Sequence, residues 1–345
     1  MDTMKVAAMS RVAHIDIREE PVPVPGENEV LIRLSRVGVC GSDVHYYSDG
    51  RIGEATCELP FILGHEPSGI VAGLGINVDG LCEGQQVVVE PARPCGKCFQ
   101  CRQGRQNICP NVRFLGTPPI DGAFREYICL SPECVYPVGD DFSLDTAALI
   151  EPLAVGLYAV NFSRMLLGDT VAVFGCGPIG LVTIACARLA GASRIFASEP
   201  IECRRKMAAA LGADVTFNPE TEDPVECIRN ETGGGVDISF EACGEAETIT
   251  HSIECTRAGA RMMMIGIPPQ DTMTLEPHRA RKKELDIQIV RRSNHSVARS
   301  IRLIESGRLD IDRLITHRFP LEQLSQAIET VRNYSDGVIK AMIEM

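Results

Sequence analysis

Apolar residues follow two rhythms along this chain. In the first third they come in short runs broken by glycine and proline: KVAAM from Lys5, EVLIRLS from Glu29, Gly69 to Val71 and Gln86 to Val89. Such runs between turn residues predict strands. The segment PVPVPGENE, Pro21 to Glu29, holds the backbone extended and disfavours helix. A compact β-rich domain is expected there. Asp145 to Val160 reads as a helix, interrupted where Pro152 follows Glu151. Beyond it strands and helices alternate: strand Val171 to Phe174, helix Leu181 to Leu189, strand Arg194 to Ser198, helix Cys203 to Leu211, then strands at Asp214 to Phe217, Val236 to Glu241 and Arg261 to Ile267. That alternation predicts a parallel, doubly wound α/β sheet. From Val297 the pattern is helix, short loop, helix and a final strand, Val338 to Ile343, expected to return to the first domain. The boundaries drawn from this are 1–154, 155–296 and 297–345, and no internal repeat is visible.

The stretch TVAVFGCGPIGLVTIACARLAGASRIFASE, Thr170 to Glu199, carries the sharpest local signal of fold. Gly175, Gly177 and Gly180 form G-x-G-x-x-G between an apolar strand and a helix. Gly175 suits a tight turn, Gly177 a close approach of pyrophosphate, and Gly180 close helix–strand packing. The helix N-terminus offers its free N–H groups to phosphate. Glu199 ends the second strand, where a carboxylate accepts from both ribose hydroxyls and repels a 2′-phosphate, so NAD is expected over NADP. Val171 to Ala187 is apolar for nearly the length of a membrane span, but the glycines and Pro178 in its middle speak against one.

A length of 345 residues suits two domains. The net charge of −12 disfavours nucleic acid or an anionic membrane as partner. The first twenty residues have no continuous apolar core and carry early acids, so no secretory signal is read and a cytoplasmic protein is expected. With 15 cysteines in that setting, reduced thiols and metal ligands are expected rather than a disulfide framework.

Two clusters carry chemistry. The first joins VGVCGSDVHYY, with Cys40, Ser42, His45 and Tyr46, to LGHEPSG, with His65 and Glu66 on a glycine turn. Alone, Cys40 reads as a small core residue and His45 as a surface or core histidine. Together, Cys40, His65 and a carboxylate make three protein ligands, the number that leaves an open position on a catalytic zinc. The second is Cys95, Cys98, Cys101 and Cys109 in a lobe of about residues 91–112. Four closely spaced thiolates suit a coordinatively closed, structural zinc, with iron–sulfur ligation the competing reading. Glu151, an acid in an apolar stretch, must be paired, protonated or near a metal, unless it is a helix-start carboxylate facing solvent.

These residues together resemble the zinc-containing medium-chain dehydrogenases, and within them the polyol branch of sorbitol and xylitol dehydrogenases. The resemblance rests on CGSDVHYY, GHEPSG, the four-cysteine lobe, TPPIDG, EPLAVG and GCGPIG, and spans essentially the whole chain. It implies a GroES-like catalytic domain beside the Rossmann domain, and a NAD-dependent oxidation of a sugar alcohol. Cys40, His65 and Glu66 would surround the catalytic zinc, with Glu151 a ligand directly or through water. Ser42 and His45 would lie on the proton path, and Tyr46, Phe114, Thr117 and Arg291 would line the substrate pocket. Pro178, Ile179 and Arg204 would join the glycines and Glu199 at NAD. Relatives are commonly dimers or tetramers. In one departure, Arg292 stands where sorbitol dehydrogenases usually carry tyrosine, and a second guanidinium suits several hydroxyls or an anion. A cyclitol, an amino alcohol or an acidic sugar is therefore an alternative substrate. A non-catalytic NAD-binding or thiol redox-sensing protein is the reading from another class.

Overall fold

The computed structural model describes residues 2–275 and 277–345. The chain divides into one unit of Met1–Glu151 with Val297–Met345, and a second of Pro152–Ser296. The first unit opens with an antiparallel hairpin, β1 (Thr3–Arg11) and β2 (His14–Pro21). In β3 (Val30–Gly38), Val30, Ile32 and Leu34 are buried while Arg33 between them is exposed, the period-2 pattern of a half-covered sheet. A helix, α1 (Gly41–Asp49), follows at once. The sequence reading has no element there. Strands β4 (Glu66–Leu74), β5 (Gln86–Val89), β6 (Tyr127–Leu130) and β7 (Val135–Pro137) extend the sheet, with β3 paired to both β4 and β6. Ile32, Leu34, Phe61, Leu63 and Phe124 fill the core beneath it.

Helix α2 (Leu144–Phe162) runs without a break through Pro152, which corrects the expected interruption. An interior proline costs about 3 kcal/mol. Leu149, Ile150 and Leu153 are each at most 1 % exposed, and burying such side chains contributes roughly 1.5–3 kcal/mol apiece. Burial wins.

The second unit is a six-stranded, all-parallel sheet in the Rossmann arrangement. In chain order its elements include β8 (Thr170–Phe174), α3 (Pro178–Leu189), β9 (Arg194–Ser198), α4 (Glu202–Ala210), β10 (Val215–Phe217), α5 (Pro224–Thr232), β11 (Val236–Glu241), α6 (Ala246–Cys255), β12 (Thr256–Met264) and β13 (Asp286–Ile289), with a short helix, Pro277–Lys283, before the last strand. The spatial order is β10-β9-β8-β11-β12-β13. The order reverses between β8 and β11, and ligands of such sheets bind at the carboxyl end of that switch point. Ala172, Phe174, Phe196 and Phe217 share one core. Met262 and Met263, at most 1 % exposed, fill the interior as the sequence suggests, although β12 starts and ends earlier than the expected strand.

The C-terminal part adds α7 (Val297–Glu305), β14 (Ile315–Pro320), α8 (Leu324–Arg332) and β15 (Lys340–Glu344) to the first unit. Strand β14 falls where the sequence reads as loop: its ITHRFP segment buries only Ile315 and Phe319, too sparse a pattern to stand out. It pairs in parallel with β15, and β15 pairs antiparallel with β3, Met342 against Gly38. Val39 N donates to Ala341 O at 3.0 Å. This lays the C-terminal strand against the loop that carries Cys40.

Candidate active site

The first cluster is assembled by a helix start and a glycine turn. Cys40 is the N-cap of α1, and Asp43, three residues on, closes a capping box by accepting from Cys40 N at 2.9 Å. The other Asp43 oxygen accepts from Gly64 N at 3.0 Å and stands 3.6 Å from His65 Nδ1. Asp43 is fully buried. One carboxylate thus ties the loop bearing Cys40 to the turn bearing His65. Gly64 has φ +94°, and a Cβ there would meet the Phe124 ring at 2.9 Å, so only glycine fits.

The result is a group in which Cys40 Sγ, one His65 ring nitrogen and a Glu66 carboxylate oxygen lie within 4.8 Å of one another. Sulfur, nitrogen and oxygen donors in that number fit an open zinc site. With Nδ1 turned to Asp43, Nε2 is the nitrogen available to the group. Burial opposes an imidazolium at His65, but Asp43 and Cys40 outweigh it and hold its pKa well above the ordinary value. The Phe114 ring stands 5.6 Å from the His65 ring, a buried apolar wall.

Glu151 is not part of this mutually close group. It is buried, so it does not face solvent as a plain helix-start carboxylate would. Burial pushes its pKa up to about 8, against the pull of His65 and with the push of Glu66. Lys340, invisible to the sequence reading, pairs with Glu66 and donates to Val39 O at 2.9 Å. Burial would lower its pKa; Glu66 first, then Cys40, raise it above the ordinary value.

Ser42, His45 and Tyr46 lie on α1, where positions three and four apart share a face. Ser42 and His45 are half-buried and Tyr46 is buried. Thr117, half-buried, donates its N–H to Phe114 O at 3.2 Å. Arg291 and Arg292 follow β13 in the second unit, Arg291 exposed and Arg292 half-buried with φ +56°.

In the four-cysteine lobe the sulfurs also lie within 4.8 Å of one another. Cys98 and Cys109 Sγ are 3.8 Å apart, and the amides of Cys95 and Cys101 donate to Cys109 and Cys98 sulfurs at 3.4 Å. A tetrahedron with arms of about 2.3 Å has edges of about 3.8 Å, so the donors fit zinc. Backbone N–H groups of Lys97 and Cys98 lower the Cys95 pKa to about 6, while burial raises that of Cys101 to about 12. A cation is what lets all of them ionise together.

At the glycine motif, Gly175 has φ +90°, and a Cβ on Gly180 would collide with Gly175 O. A Cβ on Gly177 would meet nothing within 4 Å: the loop leaves open space where a pyrophosphate can come close. Pro178 occupies the first turn of α3, and Ile179 O accepts from Thr183 Oγ1 at 2.7 Å. Glu199 accepts from Cys176 N at 2.8 Å and Ile201 N at 3.1 Å, which fixes the glycine loop and leaves lone pairs for further donors. Arg204 is buried nearby on α4.

Residues 26–140 match the alcohol dehydrogenase GroES-like domain, and residues 178–306 match the zinc-binding dehydrogenase model. The chain is 37 % identical to the sorbitol dehydrogenase of Bacillus subtilis over 341 residues, 99 % of this chain and 97 % of that one. Among solved structures it is similar to a zinc-binding dehydrogenase from Sinorhizobium meliloti bound to NADP (TM-score 0.93, 32 % identity, 100 % of both chains). It is also similar to L-idonate 5-dehydrogenase of Escherichia coli (TM-score 0.93, 26 % identity, 100 % of this chain and 99 % of that one).

Proposed function

The chain belongs to the zinc-binding dehydrogenases with a GroES-like domain, and on that premise we propose that it oxidises a secondary hydroxyl of a sorbitol- or xylitol-like alditol to a ketose with NAD. The observation that carries this reading is the group of half-buried Cys40 with buried His65 and Glu66, which brings three protein donors together among the described residues. Bound zinc supplies Lewis acidity at the alcohol oxygen, and the dinucleotide supplies the hydride acceptor.

The chain's own residues do the rest. Cys40, His65 and Glu66 hold the ion, and Asp43 orients His65. Ser42 and His45 pass the hydroxyl proton outward, with Glu151 a nearby buried carboxyl able to hold it. Tyr46, Phe114 and Thr117 shape the substrate pocket and exclude water, while Arg291 and Arg292 recognise hydroxyls. The glycine loop holds the pyrophosphate, Arg204 belongs to the cofactor site, and Glu199 selects NAD by repelling a 2′-phosphate. Cys95, Cys98, Cys101 and Cys109 hold a structural zinc. A homo-oligomer working in the cytoplasm completes the reading.

NADH formation across a panel of sorbitol, xylitol, other alditols, cyclitols, threonine and acidic sugars tests it. Turnover of one or a few alditols is expected. A second reading, an acidic sugar as substrate, draws on Arg292 and on the similarity to L-idonate 5-dehydrogenase. Reaction of an acidic sugar alone would favour it.

A further inference from the structure

Lys340 is 1 % exposed, and so is its partner Glu66. The lysine reaches the site from the C-terminal strand and touches both ligand-bearing segments, Val39 O at 2.9 Å beside Cys40 and the Glu66 carboxylate. Room for the pair comes from Gly38: a Cβ there would run into Glu66 Oε2 and stand 2.8 Å from Lys340 Cε. A buried ammonium is costly, and an apolar side chain of equal length would pack as well. Its effect must be sought in its neighbours.

We propose that Lys340 is a positioning residue that competes with the metal ion for Glu66, keeping one carboxylate oxygen on the ammonium and limiting how tightly the site holds zinc. This rests on the reading of Cys40, His65 and Glu66 as metal ligands. The ammonium and a divalent ion are both cations facing the one Glu66 carboxylate, so each weakens the other's hold on it. In the metal-free protein Lys340 is the counterion of Glu66. Remove it, and only the metal relieves that buried carboxylate, so the metal-free state loses more than the loaded one.

The test is zinc affinity of the full-length protein, by competition with a chromophoric chelator, for wild type, Lys340→Met and Lys340→Arg. Lys340→Met is expected to bind the Cys40 site's zinc roughly tenfold or more tightly, and Lys340→Arg to return close to wild type. Cobalt substituted for zinc should show an altered visible spectrum in Lys340→Met, because Glu66 is freed to move toward the ion. If the methionine variant does not fold, Lys340→Gln removes the charge while still able to donate to Val39 O, and the same tightening is expected. Unchanged or weaker zinc binding, with a wild-type cobalt spectrum, would reduce Lys340 to a packing role and overturn the proposal. If wild type itself binds zinc only at the four cysteines, the metal-site reading falls and this proposal with it.

Discussion

Asp43 Oδ1 stands 3.6 Å from His65 Nδ1, and the same carboxylate accepts from Cys40 N and Gly64 N. A side chain with no exposure thereby fixes the two segments that carry the proposed ligands Cys40 and His65, and the orientation of His65. Outer partners of this kind typically affect metal affinity or activity by about 10- to 100-fold. Asp43→Asn keeps the shape and loses the charge, so zinc affinity and kcat/KM should both fall within that range while NAD affinity stays as in wild type. Zinc titration with cofactor fluorescence checks this. Equal losses of zinc and NAD binding would mean general unfolding instead.

Cys98 serves a different site. Cys98→Ser should remove the lobe's zinc and lower the melting temperature by roughly 5–10 °C, with kcat changed far less than stability. Calorimetry beside metal analysis measures both. A variant with full zinc content and unaltered melting would overturn the four-thiolate site.

Glu199 offers a test of cofactor choice. Its carboxylate already fixes Cys176 N, and a 2′-phosphate would bring two negative charges beside it. Glu199→Ala should lower the preference for NAD over NADP by roughly tenfold to a hundredfold, with some loss of NAD affinity as the loop loosens. The ratio of kcat/KM for the two cofactors is the readout. An unchanged ratio would separate Glu199 from cofactor selection.

What the sequence makes legible here is what is local. The glycine motif, the cysteine lobe and the strand–helix alternation from Val171 to Phe217 are written in spacing over a few residues, and each is found where the spacing puts it, while the helices Pro224–Thr232 and Ala246–Cys255 and the strand Asp286–Ile289 go unread. Asp43 and Lys340 are not legible that way. Asp43 lies in CGSDVHYY like any exposed helix-start acid, and its importance comes from Gly64, twenty-one residues on. Lys340 sits in a strand whose partner β3 lies three hundred residues earlier, so nothing local marks it as buried. The Pro152 interruption fails for the same reason: tertiary burial of Leu149, Ile150 and Leu153 overrides a local rule.

Zinc content per chain, measured with NADH formation from a reactive alditol in wild type and Cys40→Ser, is the experiment to make first. Cys40→Ser should carry one zinc fewer than wild type and form no NADH, while still binding NAD. A Cys40→Ser protein that keeps wild-type zinc content and turns over the alditol at near wild-type rate would contradict the assignment of Cys40, His65 and Glu66 as the centre of the chemistry.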